Sequence, residues 1–215
     1  MTDRLGRACF ALTALVVLVG IVVQLFATET ETGLFTGAAA VLNVFAFFTI
    51  QSNILLGVTC ALLAIRTDRT SLVFRSLRLS GVLAMAVVGI VFHIALASLY
   101  EFIGLAAVAN VLLHTVTPLM AVIGWLLFGP RGQTDAKVVA GSVVYPVLWL
   151  VFTLVRGLLA GDFYPYPFLD VTEHGYPRVL LNSLLVAVLF LALAAGATAL
   201  DRVIARRSRP RATVG

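Results

Sequence analysis

Long apolar runs separated by short polar connections dominate the chain. Ala8–Ala27, Val44–Ile65, Leu79–Leu99, Ala106–Phe128, Val138–Leu159 and Val179–Leu200 are apolar stretches of about 20 residues, each able to cross a ~30 Å hydrocarbon core as a helix. In lipid a spanning segment must satisfy its own backbone groups, and a helix does so internally. The pattern predicts an all-α polytopic membrane protein, a bundle of six transmembrane helices. No soluble domain fits between the runs and no internal repeat is evident. Residues 1–205 are therefore read as one membrane domain, followed by a basic tail over residues 206–215.

Composition agrees with this pattern. The 215 residues are 61% apolar and only 12% charged, which excludes an ordinary soluble domain. The net charge of +5 would suggest nucleic acid in a soluble protein. Here all of the 15 basic residues except Arg156 and Arg178 fall in the terminal segments or in the second-to-third and fourth-to-fifth connections. The bias of Lys and Arg towards cytoplasmic loops explains this better than a nucleic-acid partner, and it predicts both termini in the cytoplasm. The 14 Arg against one Lys hint at a GC-rich bacterial genome, so the expected location is a bacterial inner membrane. Arg4 and Arg7 before an apolar run resemble a signal peptide, but the run has full spanning length and no cleavage site follows. Cys9 and Cys60 lie within apolar runs, where a small buried hydrophobe is the expected role.

Against this background, FFTIQSNILLG over residues 47–57 stands out, with Thr49, Gln51, Ser52 and Asn53 inside a spanning segment. Polar groups in hydrocarbon are costly and mark sites or helix contacts. Thr49 and Asn53 share a helix face, with Ser52 beside them, and Asn110 and His114 share another. Given the topology, these residues, together with His93, Thr153, Arg156, Asn182 and Ser183, fall in the outer half of the bundle. The inner half is expected to hold little beyond Ser142 and Tyr145. At about 1.5 Å per residue, Thr49 is expected roughly 8 Å and His114 roughly 12 Å below the outer ends of their spans, close enough to meet.

A neutral imidazole at His114 could take the Thr49 hydroxyl proton and make it a nucleophile towards an acyl group. Asn110, Asn53 or Asn182 could orient the ring or donate to an oxyanion. Arg156 could hold a lipid carboxylate or phosphate. His93 is read as a packing or supporting residue. The histidines are too scattered to predict a metal, and no cofactor is expected. In the connection before the last span, Tyr164, Tyr166, Phe168 and Tyr176 suit an interfacial aromatic belt, or alternatively a lid over an outward pocket.

The chain resembles the six-span androgen-induced-gene (FAR-17a) family, and its bacterial branch in particular, through FFTIQSNIL, NVLLHTVTP, YPVLWLVFTLVRG with YPYPFLDV, and VLLNSLL. Animal members include intramembrane threonine hydrolases of fatty-acid esters. The resemblance implies Thr49 as nucleophile and His114 as base, with Asn110 and Asn182 at family positions. It departs at Ser52, where animal members tend to carry an acid, and at Pro118, one residue closer to the histidine.

The leading expectation is a metal-free hydrolase of a membrane lipid or fatty-acyl ester. It would use Thr49 and His114, with Ser52 as fallback nucleophile and Asn53, Asn110, Arg156 and Asn182 supporting. The alternatives are a small permease or lipid-binding protein using the same cavity, and a subunit whose polar residues only pack helices.

Overall fold

In the computed structural model, residues 2–30, 42–159 and 163–207 are described, and these are helical with no strand. Six helices are long and apolar enough to span a membrane: α1 Asp3–Thr28, α2 Phe48–Ile65, α3 Leu72–Leu99, α4 Gly104–Phe128, α5 Ala136–Leu159 and α6 Val171–Arg207. The protein is an integral, multi-pass membrane protein. The acids Glu31 and Asp162 and most of the expected tail, including Arg209 and Arg211, lie outside the described residues.

α3 is the axis of the bundle. It packs against α2, α4, α5 and, more lightly, α6, while α1 covers α2 and α4 on the other side. Its core residues Leu79, Leu83, Val87 and Val88 are buried on two sides. α5 and α6 both lean on α3 and hardly on each other. α6 is interrupted at Gly175, whose φ of 71° only glycine adopts readily, and Pro177 restarts the helix.

Several boundaries differ from the sequence expectation. The third span begins at Leu72, because Ser71 accepts a hydrogen bond from the Phe74 amide at 3.3 Å and caps the helix about two turns earlier than its apolar run suggests. This draws Arg78 from the predicted loop into the helix, 4% exposed. Polar groups are consequently not confined to one end. Arg78, Asp201, Thr134, Ser76, Ser80 and Thr59 are all buried away from the 163–170 loop, contrary to the expected poverty of that half. Several arginines there also cap helix ends. Arg7 and Arg69 donate to the Ala64 and Leu62 carbonyls of α2, and Arg131 to Trp125 and Leu126 of α4.

Candidate functional site

The second helix does not run continuously from Val44. Residues 45–47 turn, Phe47 is extended (φ −70°, ψ 134°), and α2 starts at Phe48. Thr49 therefore stands in the first turn of a helix, not partway along one. Amides there lack intrahelical partners and the helix dipole is positive. The sequence NVFAFF contains neither Gly nor Pro to announce the break. It persists because side chains take up the freed groups: Trp149 Nε1 donates to the Ala46 carbonyl at 3.0 Å and Gln51 Nε2 to that of Phe45 at 2.9 Å.

His114 sits in a π-helical turn of α4, Leu112–Val116, just before Pro118. Proline offers no amide to the carbonyl four residues back, and the helix widens instead, with the Thr117 amide bonded to the Leu112 carbonyl. α3 carries a matching π turn at Phe92–Leu96, and Phe92 stacks on the His114 ring with centroids 4.2 Å apart. Gly89 lets the two helices meet at this level, since a Cβ there would lie 3.1 Å from that of Pro118.

These distortions bring Thr49 Oγ1 to 3.2 Å from His114 Nε2. His114 Nδ1 is buried without a hydrogen bond of standard geometry, although the Asn110 carbonyl one turn earlier faces it. A third group completes the cluster. The Tyr166 hydroxyl lies 3.1 Å from Thr49 Oγ1 and accepts from the Thr49 amide at 3.1 Å. The aromatic-belt reading of Tyr166 is thereby corrected: it is buried over the site, with Trp149 and Phe47 packed round its ring. Burial pushes the phenol up from its ordinary value, against the lowering effect of the Thr49 contacts, so it remains a neutral hydrogen-bond donor. The donors form one consistent relay: Thr49 N–H to Tyr166 O, Tyr166 O–H to Thr49 Oγ1, and Thr49 O–H to His114 Nε2. The YPYPF motif was the only sequence signal for this residue.

The other expected residues surround the pair without joining it. Ser52 points to the Tyr145 hydroxyl at 2.9 Å, away from any base, so the structure does not support it as fallback nucleophile. Asn53 is fully buried and ties α2 to α4: its Nδ2 donates to the Thr49 carbonyl at 2.9 Å and its Oδ1 accepts from Thr117 at 2.7 Å. It positions the site and is not free to act as an oxyanion donor. The Asn110 side-chain oxygen is buried without a partner among the described residues. Arg156 donates to Asn43 Oδ1 and covers the Phe163 ring, holding the chain on either side rather than lining the cavity. Asn182 donates to the Phe168 carbonyl at 2.8 Å and so pins the loop that carries Tyr166. His93 is exposed, bonded to the Gly89 carbonyl and to Thr115.

Thr49, His114 and Tyr166 form the polar end of a cavity of about 170 Å³ whose other walls, Ser183 apart, are apolar, among them Val91, Leu150, Leu169 and Phe190. Tyr166, Phe168 and Leu169 contribute to these walls, so the loop covers the cavity as the lid reading expected. Among the described residues, no three His, Cys, Asp or Glu side chains converge on a point where a metal could bind. Compared with family models, curated proteins and solved structures, the chain matches none.

Proposed function

We propose that this protein is an intramembrane hydrolase of a lipid or fatty-acid ester, with Thr49 as nucleophile and His114 as general base. The observation that carries the proposal is the 3.2 Å approach of Thr49 Oγ1 to His114 Nε2 at the polar end of an otherwise apolar cavity. Hydroxyl and imidazole within hydrogen-bond reach are what nucleophilic acyl transfer requires. Helix packing alone would not need a cavity beside them.

In this reading Thr49 Oγ1 attacks the acyl carbonyl and its proton passes to His114 Nε2. As Thr49 Oγ1 bonds to the carbonyl carbon it gives up the Tyr166 proton, which Tyr166 then donates to the carbonyl oxygen as negative charge develops there, near the positive end of α2. His114 then returns the proton to the departing alkoxide, leaving an acyl-Thr49 ester. Water, deprotonated by His114, cleaves that ester and releases the acid. With Asn53 and Asn182 occupied in holding helices and loop, the chemistry falls to three side chains. The loop-covered site faces the outer leaflet if the basic end of the bundle lies in the cytoplasm of a bacterial cell.

A fluorophosphonate probe on the purified protein tests this reading. Wild type is expected to label, and Thr49→Ala and His114→Ala to lose labelling while remaining folded. Absence of labelling across a broad probe set would instead favour a lipid-binding protein or permease using the same cavity.

A further inference from the structure

The cavity at Thr49 does not end inside the bundle. Val143 of α5 and Leu191 of α6 belong to its wall and also to that of an open groove of about 520 Å³ beneath it. The groove runs between α5 and α6 to Arg202, with Ala136 and Ala140 on one side and Ala195 and Ala199 on the other. Small facing residues ordinarily let membrane helices close together. Here they face an open slot, because each helix rests on α3 instead of on its neighbour. Val147 and Leu191 are each about half exposed and yet line the cavity, so its side wall opens towards the hydrocarbon.

From Ser183, which lines the cavity, to Arg202 at the far end of the groove, cavity and groove together follow α6 for about 28 Å at ~1.5 Å per residue. That is nearly the whole ~30 Å hydrocarbon thickness. Leu191 lies about 12 Å from Ser183 on the same scale. A short acyl chain with its carbonyl at Thr49 fits above Leu191, and a long one must pass between Val143 and Leu191 into the slot. An apolar slot open to lipid and continuous with the nucleophile has one natural occupant, an acyl chain from the bilayer.

Building on the hydrolase reading, we propose that the substrate's acyl chain reaches Thr49 sideways through the gap between α5 and α6, and that Val143 and Leu191 form the constriction that sets chain-length preference.

Two measurements keep this proposal separable from the hydrolase reading. The first compares hydrolysis of p-nitrophenyl palmitate and p-nitrophenyl hexanoate by wild type, Leu191→Trp and the milder Val143→Phe, with folding checked by gel filtration. The palmitate-to-hexanoate ratio is expected to fall at least tenfold in both variants. An unaltered ratio in folded protein overturns the groove while leaving the hydrolase intact. The second needs no turnover. Thr49→Ala protein is irradiated with palmitic acid carrying a diazirine beside the carboxyl group. Labelling of the peptide around Tyr166 is expected, with loss when Leu191→Trp is added. That result, where wild type cleaves neither ester, supports the groove and overturns the hydrolase; no labelling at Tyr166 overturns the groove.

Discussion

The Tyr166 hydroxyl sits 3.1 Å from both the Thr49 side-chain oxygen and the Thr49 amide, joining a loop to the first turn of α2. The phenol spends its lone pair on the amide and its proton on Thr49 Oγ1, which leaves the threonine proton directed at His114. Tyr166→Phe keeps the ring, with its packing on Trp149 and Phe168, and removes only this hydroxyl. Loss of one preorganised donor of this kind lowers turnover about 100-fold or more. Ester hydrolysis by Tyr166→Phe should fall on that scale with little change in KM. An effect confined to KM would make Tyr166 a wall and not a donor.

Asn53 offers a different test, because it joins helices without touching the reacting atoms. Its amide bridges the Thr49 carbonyl and Thr117, with a longer contact to the Leu113 carbonyl at 3.4 Å, freed where α4 widens. Asn53→Ala removes these bonds from a dry interior and leaves the Thr117 hydroxyl only the Leu113 carbonyl at 3.3 Å. Interhelical side-chain hydrogen bonds in membrane proteins contribute about 0.6–2 kcal/mol, so a stability loss of that order is expected. Because α2 and α4 carry nucleophile and base, activity should fall as well. Unfolding in a denaturing detergent, measured beside ester hydrolysis, reads both effects.

The six spans were legible because bilayer thickness imposes a length of apolar sequence that nothing else in the chain imitates. Thr49 and His114 were legible as polar residues on apolar segments, but their meeting was not derivable from depth counted along ideal helices. It depends on the break at 45–47 and on two π turns, of which only the one before Pro118 has a cause visible in the sequence. Tyr166 was harder still. An aromatic in a proline-rich loop suits a membrane interface equally well, and only the folded loop shows it turned inward. Arg78 illustrates the opposite error: a charge beside a loop was assigned to that loop, whereas the Ser71 cap places it inside the helix.

The loop over the site has a pH-sensitive anchor. Asp170 precedes α6, and its Oδ1 accepts from the Thr172 amide at 2.9 Å and the Glu173 amide at 3.3 Å. The Thr172 hydroxyl, with smaller help from these amides, holds the Asp170 carboxyl below its ordinary value. A depressed carboxylate stabilises the fold above the unfolded pKa of about 3.9, and that contribution disappears as pH falls through the folded value. Thermal stability should therefore drop as the medium is acidified below about pH 4. Asp170→Ala should lose about 1 kcal/mol at neutral pH, as for other helix caps, and flatten the acid limb. Melting curves of both proteins across pH provide the comparison.

The buried charges at the opposite end predict an asymmetry. Asp201 is 1% exposed and its two oxygens accept from the Gly132 and Thr134 amides, each at 3.0 Å, fastening α6 to the α4–α5 connection. Arg78 feels the Asp201 charge, but among the described residues its Nε and Nη1 have no partner, and its Nη2 reaches only the Pro130 carbonyl at 3.4 Å. Beside it lies a cavity of about 20 Å³, enough for a single water. Arg78→Met removes a poorly satisfied charge and takes one counter-charge from Asp201, but leaves both Asp201 bonds and the nearby Arg131 in place, so its loss should be the smaller of the two. Asp201→Ala strands two amides and leaves Arg78 without its counter-charge, a loss of about 3 kcal/mol or more. In the double variant the second penalty vanishes, so it should be more stable than Asp201→Ala alone. Unfolding of the four proteins in detergent measures this cycle, and strictly additive losses would show that the two charges do not interact.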